Sequence, residues 1–453
     1  MATHMRMACM KSGRPGVSFG PTTSNENRRA NFSSDDDRGR LSVRSQNTTR
    51  LIIRMQYLYM CGTKDLDGST RYRRLEMNKQ RLLFTPFLLG SLKLPNHIVM
   101  APLTRSRAND EGIPSPFAAK YYSDRATAGL IISEGTNISA QARGFAFTPG
   151  IWNDAQVEAW KPIVDAVHQS GGTFYLQLWH TGRISHPSLH GGALPIAPSA
   201  VTPIGHAFAK EGKPDYVTPR AVEASELPGI LDEYSVAAAN AKRAGFDGVE
   251  IHSANAYFLD QWLRDSTNLR TDEYGGSVEN RVRFPLAAVR ATIEGFGDAS
   301  RVGVRVAPLD ILTCKTPLDS NPSETYGHYI SELSKLGLSH LHMVEGVGKQ
   351  SRQLEGVSLD FQALRHRFDG VYIANNMYTS ETAESALVAG EVDLVSFGRL
   401  FLANPDLVER LRTGAELAEA PMEFWYGGTN RGYSDWPTLA NSPSKDIAEE
   451  VAG

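Results

Sequence analysis

His252, Asn255 and Tyr257 lie within six residues of one another, directly after the short stretch Val249, Glu250, Ile251. A strand that ends in an imidazole, a carboxamide and a phenol delivers two hydrogen-bond donors and one proton source to a single edge of a fold, where a βα loop can aim them together. That trio suits the holding of a carbonyl or nitro oxygen while a proton is added nearby. The same residues have a plainer account, with His252 and Asn255 as caps of the next helix and Tyr257 as a core side chain. The rest of the chain weighs between the two.

With 453 residues, 41% of them hydrophobic and 21% charged, the chain can bury a large core, and α/β barrels of such length occur as one domain. A formal net charge of -3 points away from nucleic acid or an anionic membrane as the main partner. The longest run free of Asp, Glu, Lys and Arg, residues 184–209, is broken by Pro187, Pro195, Pro198 and Pro203, so it reads as a loop and no membrane span is expected. Cys9, Cys61 and Cys314 form neither a CxxC pair nor a disulfide framework. That usage predicts a reducing, cytoplasmic setting and argues against an iron–sulfur cluster, and no metal site is expected.

Residues 1–76 differ in composition from the rest of the chain. They are rich in Arg, Ser, Asn and Thr, show no helical or strand periodicity, and are predicted to be disordered. The first 25 residues carry basic side chains and no acids, as an organellar transit peptide would, but Glu26 and the run Asp35, Asp36, Asp37 weigh against targeting. An equal alternative is translation from Met77, which would make the upstream stretch an artefact. The functional domain is expected over residues 77–453.

From residue 82 onward strand-like and helix-like segments alternate, the pattern of a parallel α/β sheet or barrel. Strands are predicted at 97–101, 129–133, 173–178, 248–252, 302–306, 340–344, 371–374 and 394–397, with helices at 157–169, 231–244, 280–294 and 380–389 among the segments between them. Eight such units match a TIM barrel. Residues 83–95, with Gly90 between two apolar runs, predict a hairpin lid on its bottom. A doubly wound sheet is the rival, but Pro102, Leu103 and Thr104 follow the first strand in place of a Gly-rich dinucleotide turn.

In a barrel all the strand ends meet at one mouth. The first would bring Pro102, Leu103, Thr104 and Arg105, the second Gly135, the third Gln177 and Trp179, the fifth Arg305, and the eighth Gly398 and Arg399. An amide, a guanidinium, a hydroxyl and small residues around one opening suit a flat heteroaromatic ring with a phosphate tail. Arg305 would put positive charge where a reduced flavin gathers negative charge, and Gly398 followed by Arg399 suits a phosphate. Each has a dull alternative, since most arginines are surface residues. Their convergence carries the reading.

The segments LFTPFLLGSLKLPNHIVMAPLTRSRA, AGLIISEGTNIS, LQLWHTGR, VEIHSANAYFLDQWLRDSTNLRTDEYGGSVENR, FGRLFLANPDL and FWYGGTNRGYSDWPTL together resemble the old yellow enzyme family of FMN-dependent ene-reductases, from about residue 82 to about 439. The resemblance implies an FMN-holding TIM barrel. It implies that Pro102, Leu103 and Thr104 line the flavin, that Gly135 and Gln177 meet its pyrimidine side, and that Arg305 sits near N1 and O2. Gly398, Arg399 and the loop around Asn376 would take the phosphate. Trp179, Phe145 and Tyr426 would shape the substrate pocket, with Trp425 beside the flavin. His252 and Asn255 match the pair that binds the substrate oxygen, and Tyr257 matches the proton donor. The implied cofactors are non-covalent FMN and, as reductant, NADPH or NADH. The implied partner is a small electrophilic alkene, reduced by a ping-pong reaction in a monomer or homodimer.

Several positions depart from the family pattern. Asn376 stands where a Gly is usual, Phe145 where many members have a Tyr, and Trp425 where a Phe is usual. These predict altered phosphate binding and a changed substrate pocket. The rival functions are a flavin-free lyase or aldolase, which would want a Schiff-base Lys or metal ligands at a strand end, and a flavin-binding barrel without turnover.

Overall fold

The computed structural model describes residues 81–347 and 357–441, together with the antiparallel pair Thr63–Lys64 and Thr70–Arg71. The chain divides into two units, Met1–Asn78 and Lys79–Gly453. The disorder expected over residues 1–76 falls almost wholly outside the described residues.

Eight strands of the larger unit are β1 (Ile98–Met100), β2 (Leu130–Ile132), β3 (Phe174–Trp179), β4 (Gly248–Ser253), β5 (Val302–Val306), β6 (His340–Val344), β7 (Val371–Asn375) and β8 (Leu394–Phe397). Each pairs in parallel with the next, and β8 returns to β1, so the sheet closes into a TIM barrel. A helix follows each strand: α1 (Ala118–Ser123), α2 (Asp154–Gln169), α3 (Leu227–Arg243), α4 (Val278–Phe296), α5 (Pro322–Ser334), α6 (Phe361–Arg365), α7 (Ser380–Ala389) and α8 (Leu407–Thr413).

The strands lie within one residue of their predicted bounds, because short β-branched runs between turns leave little freedom. Three of the four predicted helices begin earlier than apolar spacing predicts, while Ser380–Ala389 matches its expected bounds. α2 starts three residues sooner, where the Asn153 side chain accepts the N–H of Gln156, and α3 takes Pro228 into its first turn. Caps and first-turn prolines are polar or neutral to periodicity, so the pattern alone misses them.

Phe87–Leu89 and Leu92–Leu94 pair antiparallel into the expected hairpin. Its Leu89 and Leu94 are fully buried against Val99, Leu130, Ile132, Tyr175, Ile373 and Leu394, which form the apolar lower layer inside the barrel. That plug removes one end of the barrel from water and leaves the C-terminal ends of the strands to carry polar groups. Along β4 the alternation is strict: Val249 and Ile251 join the outer core beneath the helices, while Glu250 and His252 turn inward. Among the described residues no helix is long and apolar enough to cross a membrane.

Candidate active site

Above the apolar layer sits a buried polar floor organised by Glu250. Its Oε1 accepts from Gln177 Nε2 at 2.9 Å, and its Oε2 accepts from His342 Nδ1 at 2.7 Å and His340 Nε2 at 3.1 Å. His342 then has Nε2 free to accept, and it faces Arg305 Nη1 at 2.6 Å, which donates to it, with Ser396 Oγ beside it at 2.7 Å. Arg305 Nη2 completes the row at 3.0 Å from Asn375 Oδ1. Gly303 stands between Glu250 and His340 in the ladder, where a Cβ would lie 2.1 Å from the His340 ring. Glycine there lets the imidazole reach the carboxylate.

Burial alone would raise the Glu250 pKa, but His342 and His340 outweigh it and hold the carboxyl well below its ordinary range. Burial, opposed by Glu250, lowers Arg305 to about 10, so the floor holds one carboxylate and one guanidinium at neutral pH. Gln177 faces Glu250 through Nε2. Its Oε1 and second Nε2 hydrogen are left for whatever fills the cavity above.

His252 ends the inward row of β4, and the chain then turns through Asn255 and Ala256 at φ +56° and +59° before Phe258–Leu263 starts a short helix. Two successive non-glycine residues in the left-handed region are strained. The turn is held by Asp260, which accepts the Ala256 N–H at 2.8 Å, and by Gln261, which donates to the Ala256 carbonyl at 2.8 Å. Asp260 is itself buried against Arg264 at 2.8 Å and the Tyr326 hydroxyl. The result puts the Tyr257 ring edge-on to both His252 and Trp179, with centroids 5.0 Å apart in each case. Burial first, then the nearby Cys314, Tyr216 and Asp310, push the Tyr257 pKa well above its usual value. The phenol stays protonated. Burial and the Arg305 charge lower His252 to about 3, so its ring is neutral, and its buried Nδ1 has no protein partner.

Two adjoining cavities share Pro102 and Arg305. The larger, about 530 Å³, is also lined by Leu103, Asn376, Gly398, Arg399 and Trp425. The smaller, about 180 Å³, brings together Thr104, Gln177, Trp179, His252, Asn255 and Tyr257. Asn376 takes φ +100° and Met377 φ +58°, so the turn expected to need glycine forms with Asn in its place. These walls fit a flavin mononucleotide. The Gln177 donor and acceptor match an N–H/C=O ring edge, Arg305 supplies positive charge, and Arg399 with the left-handed turn suits a phosphate.

Three expected residues line neither cavity. Gly135 packs beneath the indole of Trp179, where a Cβ would come within 2.6 Å of the ring, so its lack of a side chain makes room for Trp179. Phe145 lies one shell out, stacked on Trp179 at 5.2 Å and on Phe208 at 5.3 Å. Tyr426 is 54% exposed and leans toward Phe208 at the rim.

A scan against family models matches residues 82–418 to the NADH:flavin oxidoreductase / NADH oxidase family. The chain belongs to the old yellow enzyme family. It is 42% identical over 367 residues to 12-oxophytodienoate reductase 1 of Oryza sativa subsp. japonica, covering 79% of this chain and 93% of that protein. It is 38% identical over 365 residues to 12-oxophytodienoate reductase 2 of Arabidopsis thaliana, covering 80% and 96%. Among solved structures, morphinone reductase in complex with tetrahydroNAD matches with TM-score 0.74 and 46% identity, over 79% of this chain and 97% of that one. The old yellow enzyme homologue of Zymomonas mobilis matches with TM-score 0.76 and 43% identity, over 79% and 99%.

This old yellow enzyme family member holds its cavity wall with two arginines, Arg105, which the sequence placed at the mouth, and Arg107, which sequence reading passed over. Arg105, fully buried, donates to the carbonyls of Trp425, Phe424 and Gly432 at 3.0, 3.0 and 3.1 Å, and Gly427 N–H returns a bond of 2.8 Å to its own carbonyl. Arg107 adds bonds to Thr429 and Phe424 at 3.1 Å each. The two arginines fasten the segment carrying Trp425 to the end of β1. A second arginine after an arginine at a strand end was the available signal.

Buried neutral histidines make stability fall in acid. Burial lowers His180 and His252 to about 3 and His342 to about 4, so the unfolded chain binds protons below the ordinary His value of 6.5 while the folded chain refuses them. At pH 5 each contributes a loss on the order of 2 kcal/mol. Glu134, raised to about 7 by burial, works in the opposite sense, taking up its proton first in the folded state. His190, lowered by burial to about 4, adds to the loss, and Asp260 and Glu233, raised by burial, add to the gain, so the four histidines leave a net loss of a few kcal/mol. The melting temperature should drop between pH 7 and pH 5, and an unchanged or higher value at pH 5 would show that the histidines are not buried neutral.

Proposed function

We propose that this chain is an FMN-dependent ene-reductase, drawing electrons from NADPH or NADH and saturating the activated C=C bond of α,β-unsaturated carbonyls or nitroalkenes. The observation that carries the reading is the convergence of His252, Asn255 and Tyr257 on a small cavity that shares Pro102 and Arg305 with a larger, flavin-sized one. Pro102, Leu103, Thr104, Gln177, Arg305, Asn376, Gly398 and Arg399 would hold FMN without a covalent bond. When bound, the flavin would take hydride from the nicotinamide and deliver it to the β-carbon of the alkene.

The chain's own residues supply the rest. His252 and Asn255 hold the substrate's oxygen, and that polarisation leaves the β-carbon electron-poor. Tyr257, kept protonated by its surroundings, delivers a proton to the α-carbon. Trp179 and Phe145 wall off water. The neutral state of His252 matters, because it binds the oxygen without bringing a full charge into the flavin's field. Relatives described as 12-oxophytodienoate reductases, and a morphinone reductase whose structure is a complex with tetrahydroNAD, support the substrate class and the reductant.

The test is colour. Purified chain should be yellow, should bleach anaerobically on addition of NADPH or NADH, and should recover when 2-cyclohexenone is supplied. Protein that stays colourless after incubation with FMN would overturn the reading. Yellow protein that never bleaches would favour a flavin carrier without turnover.

A further inference from the structure

Asn255 is not free in its wall. Its Nδ2 lies 2.6 Å from Oδ2 of Asp310, a residue 3% exposed in the loop after β5. That carboxylate is fully occupied. Oδ1 accepts the N–H groups of Leu312 at 2.8 Å and Thr313 at 3.2 Å, and Oδ2 also accepts the Thr313 hydroxyl at 2.8 Å. Four donors fill the roughly four acceptor positions of a carboxylate. The contact also settles which way the amide points, since an amide oxygen 2.6 Å from a carboxylate oxygen would be repelled.

The two partners are tied together from beneath as well. Arg264, paired with the Asp260 that holds the strained turn at Ala256, donates through Nη1 to the backbone carbonyl of Asp310 at 2.8 Å. One buried ion pair therefore keeps the turn carrying Asn255 in register with the loop carrying Asp310. One Nδ2 hydrogen of Asn255 is taken by Asp310. The second remains, on a side chain that lines the small cavity with His252 and Tyr257.

We propose that Asp310 is a positioning residue of the substrate site, holding the Asn255 carboxamide so that Nδ2 meets the substrate's electron-withdrawing oxygen. The inference rests on the reading of Asn255 as an oxygen-binding donor. Nothing in the sequence around Asp310 signals the role, because the contact spans 55 residues.

Steady-state kinetics of the FMN-loaded full chain with 2-cyclohexenone test it. In Asp310→Asn the new amide keeps the backbone bonds through its oxygen and presents an N–H₂ to Asn255, which must turn its own oxygen into that place. kcat/KM should fall about tenfold, the effect of one lost hydrogen bond, with kcat sharing in the loss because that bond polarises the alkene as well as binding it. Asn255→Ala alone should lower kcat/KM similarly, and combining the two should add nothing further, because both remove the same interaction. If Asp310→Asn does not fold, Asp310→Ala serves the same comparison. A kcat/KM within twofold of wild type in the Asp310 variant, or effects of the two substitutions that add fully, would overturn the role of Asp310 and leave that of Asn255 intact. An unchanged kcat/KM in Asn255→Ala would overturn both.

Discussion

Replacing Tyr257 with Phe is expected to slow the reduction of 2-cyclohexenone by about 10²- to 10⁴-fold, the range a positioned general acid contributes, while NADPH bleaches the flavin at its wild-type rate. The ring should stay where it is. Its contacts are edge-to-face with Trp179 and His252 at 5.0 Å and with Phe145 at 6.3 Å, and all of them are made by the aromatic body that Phe keeps. No bond from the phenolic oxygen holds a structural partner among the hydrogen bonds of the described residues around it. What disappears is one proton, held at neutral pH by burial and the neighbouring Cys314, Tyr216 and Asp310. The loss therefore falls on the oxidative half of the reaction alone. Rapid-mixing measurements of the two half-reactions separate the cases. Recovery at the wild-type rate would show that another group or solvent supplies the proton, and slowed bleaching would show that Tyr257 shapes nicotinamide binding instead.

That prediction comes from the part of the molecule most open to reading from sequence. His252, Asn255 and Tyr257 lie on one strand end and the turn after it, so their meeting is a local matter. The barrel itself was legible for a related reason. Each strand is a short β-branched run bounded by turns, and each unit repeats the last. Residues whose partners lie far along the chain were not legible. Asp310 reaches Asn255 across 55 positions, Arg305 meets His342 across 37, and Arg105 fastens Trp425 across 320. No periodicity carries such pairings. Gly135 shows a different limit. Its place at a strand end pointed to the cofactor, and only packing reveals that the volume it vacates is filled by Trp179. Asn376 went the other way, since tolerance of the left-handed region is a property of the residue type, and the turn stands at φ +100°.

Glu250 is where the fold and the cofactor site depend on the same atoms. In the sequence it is a charged residue inside an apolar strand, an arrangement that costs several kcal/mol unless the charge is paired and bonded. It is: three donors converge on it, and through His342 it steadies Arg305. Glu250→Gln keeps the shape and removes the balance. The substituted amide offers one acceptor oxygen to Gln177, His340 and His342 and sets an N–H₂ against N–H donors, while Arg305 loses its counter-charge. Removing one partner of a buried charged pair costs about 3–5 kcal/mol, so denaturant unfolding of the flavin-free variant should shift by that amount. Gln177 would also be released from the orientation that leaves its Oε1 to the cavity, and FMN affinity should fall by about 100-fold, equivalent to two lost hydrogen bonds. A variant that unfolds at the wild-type denaturant concentration and keeps one flavin per chain through dialysis would show that the floor is held by packing, with the carboxylate incidental. A variant that loses stability but binds FMN normally would confine Glu250 to the fold and free Gln177 from its control.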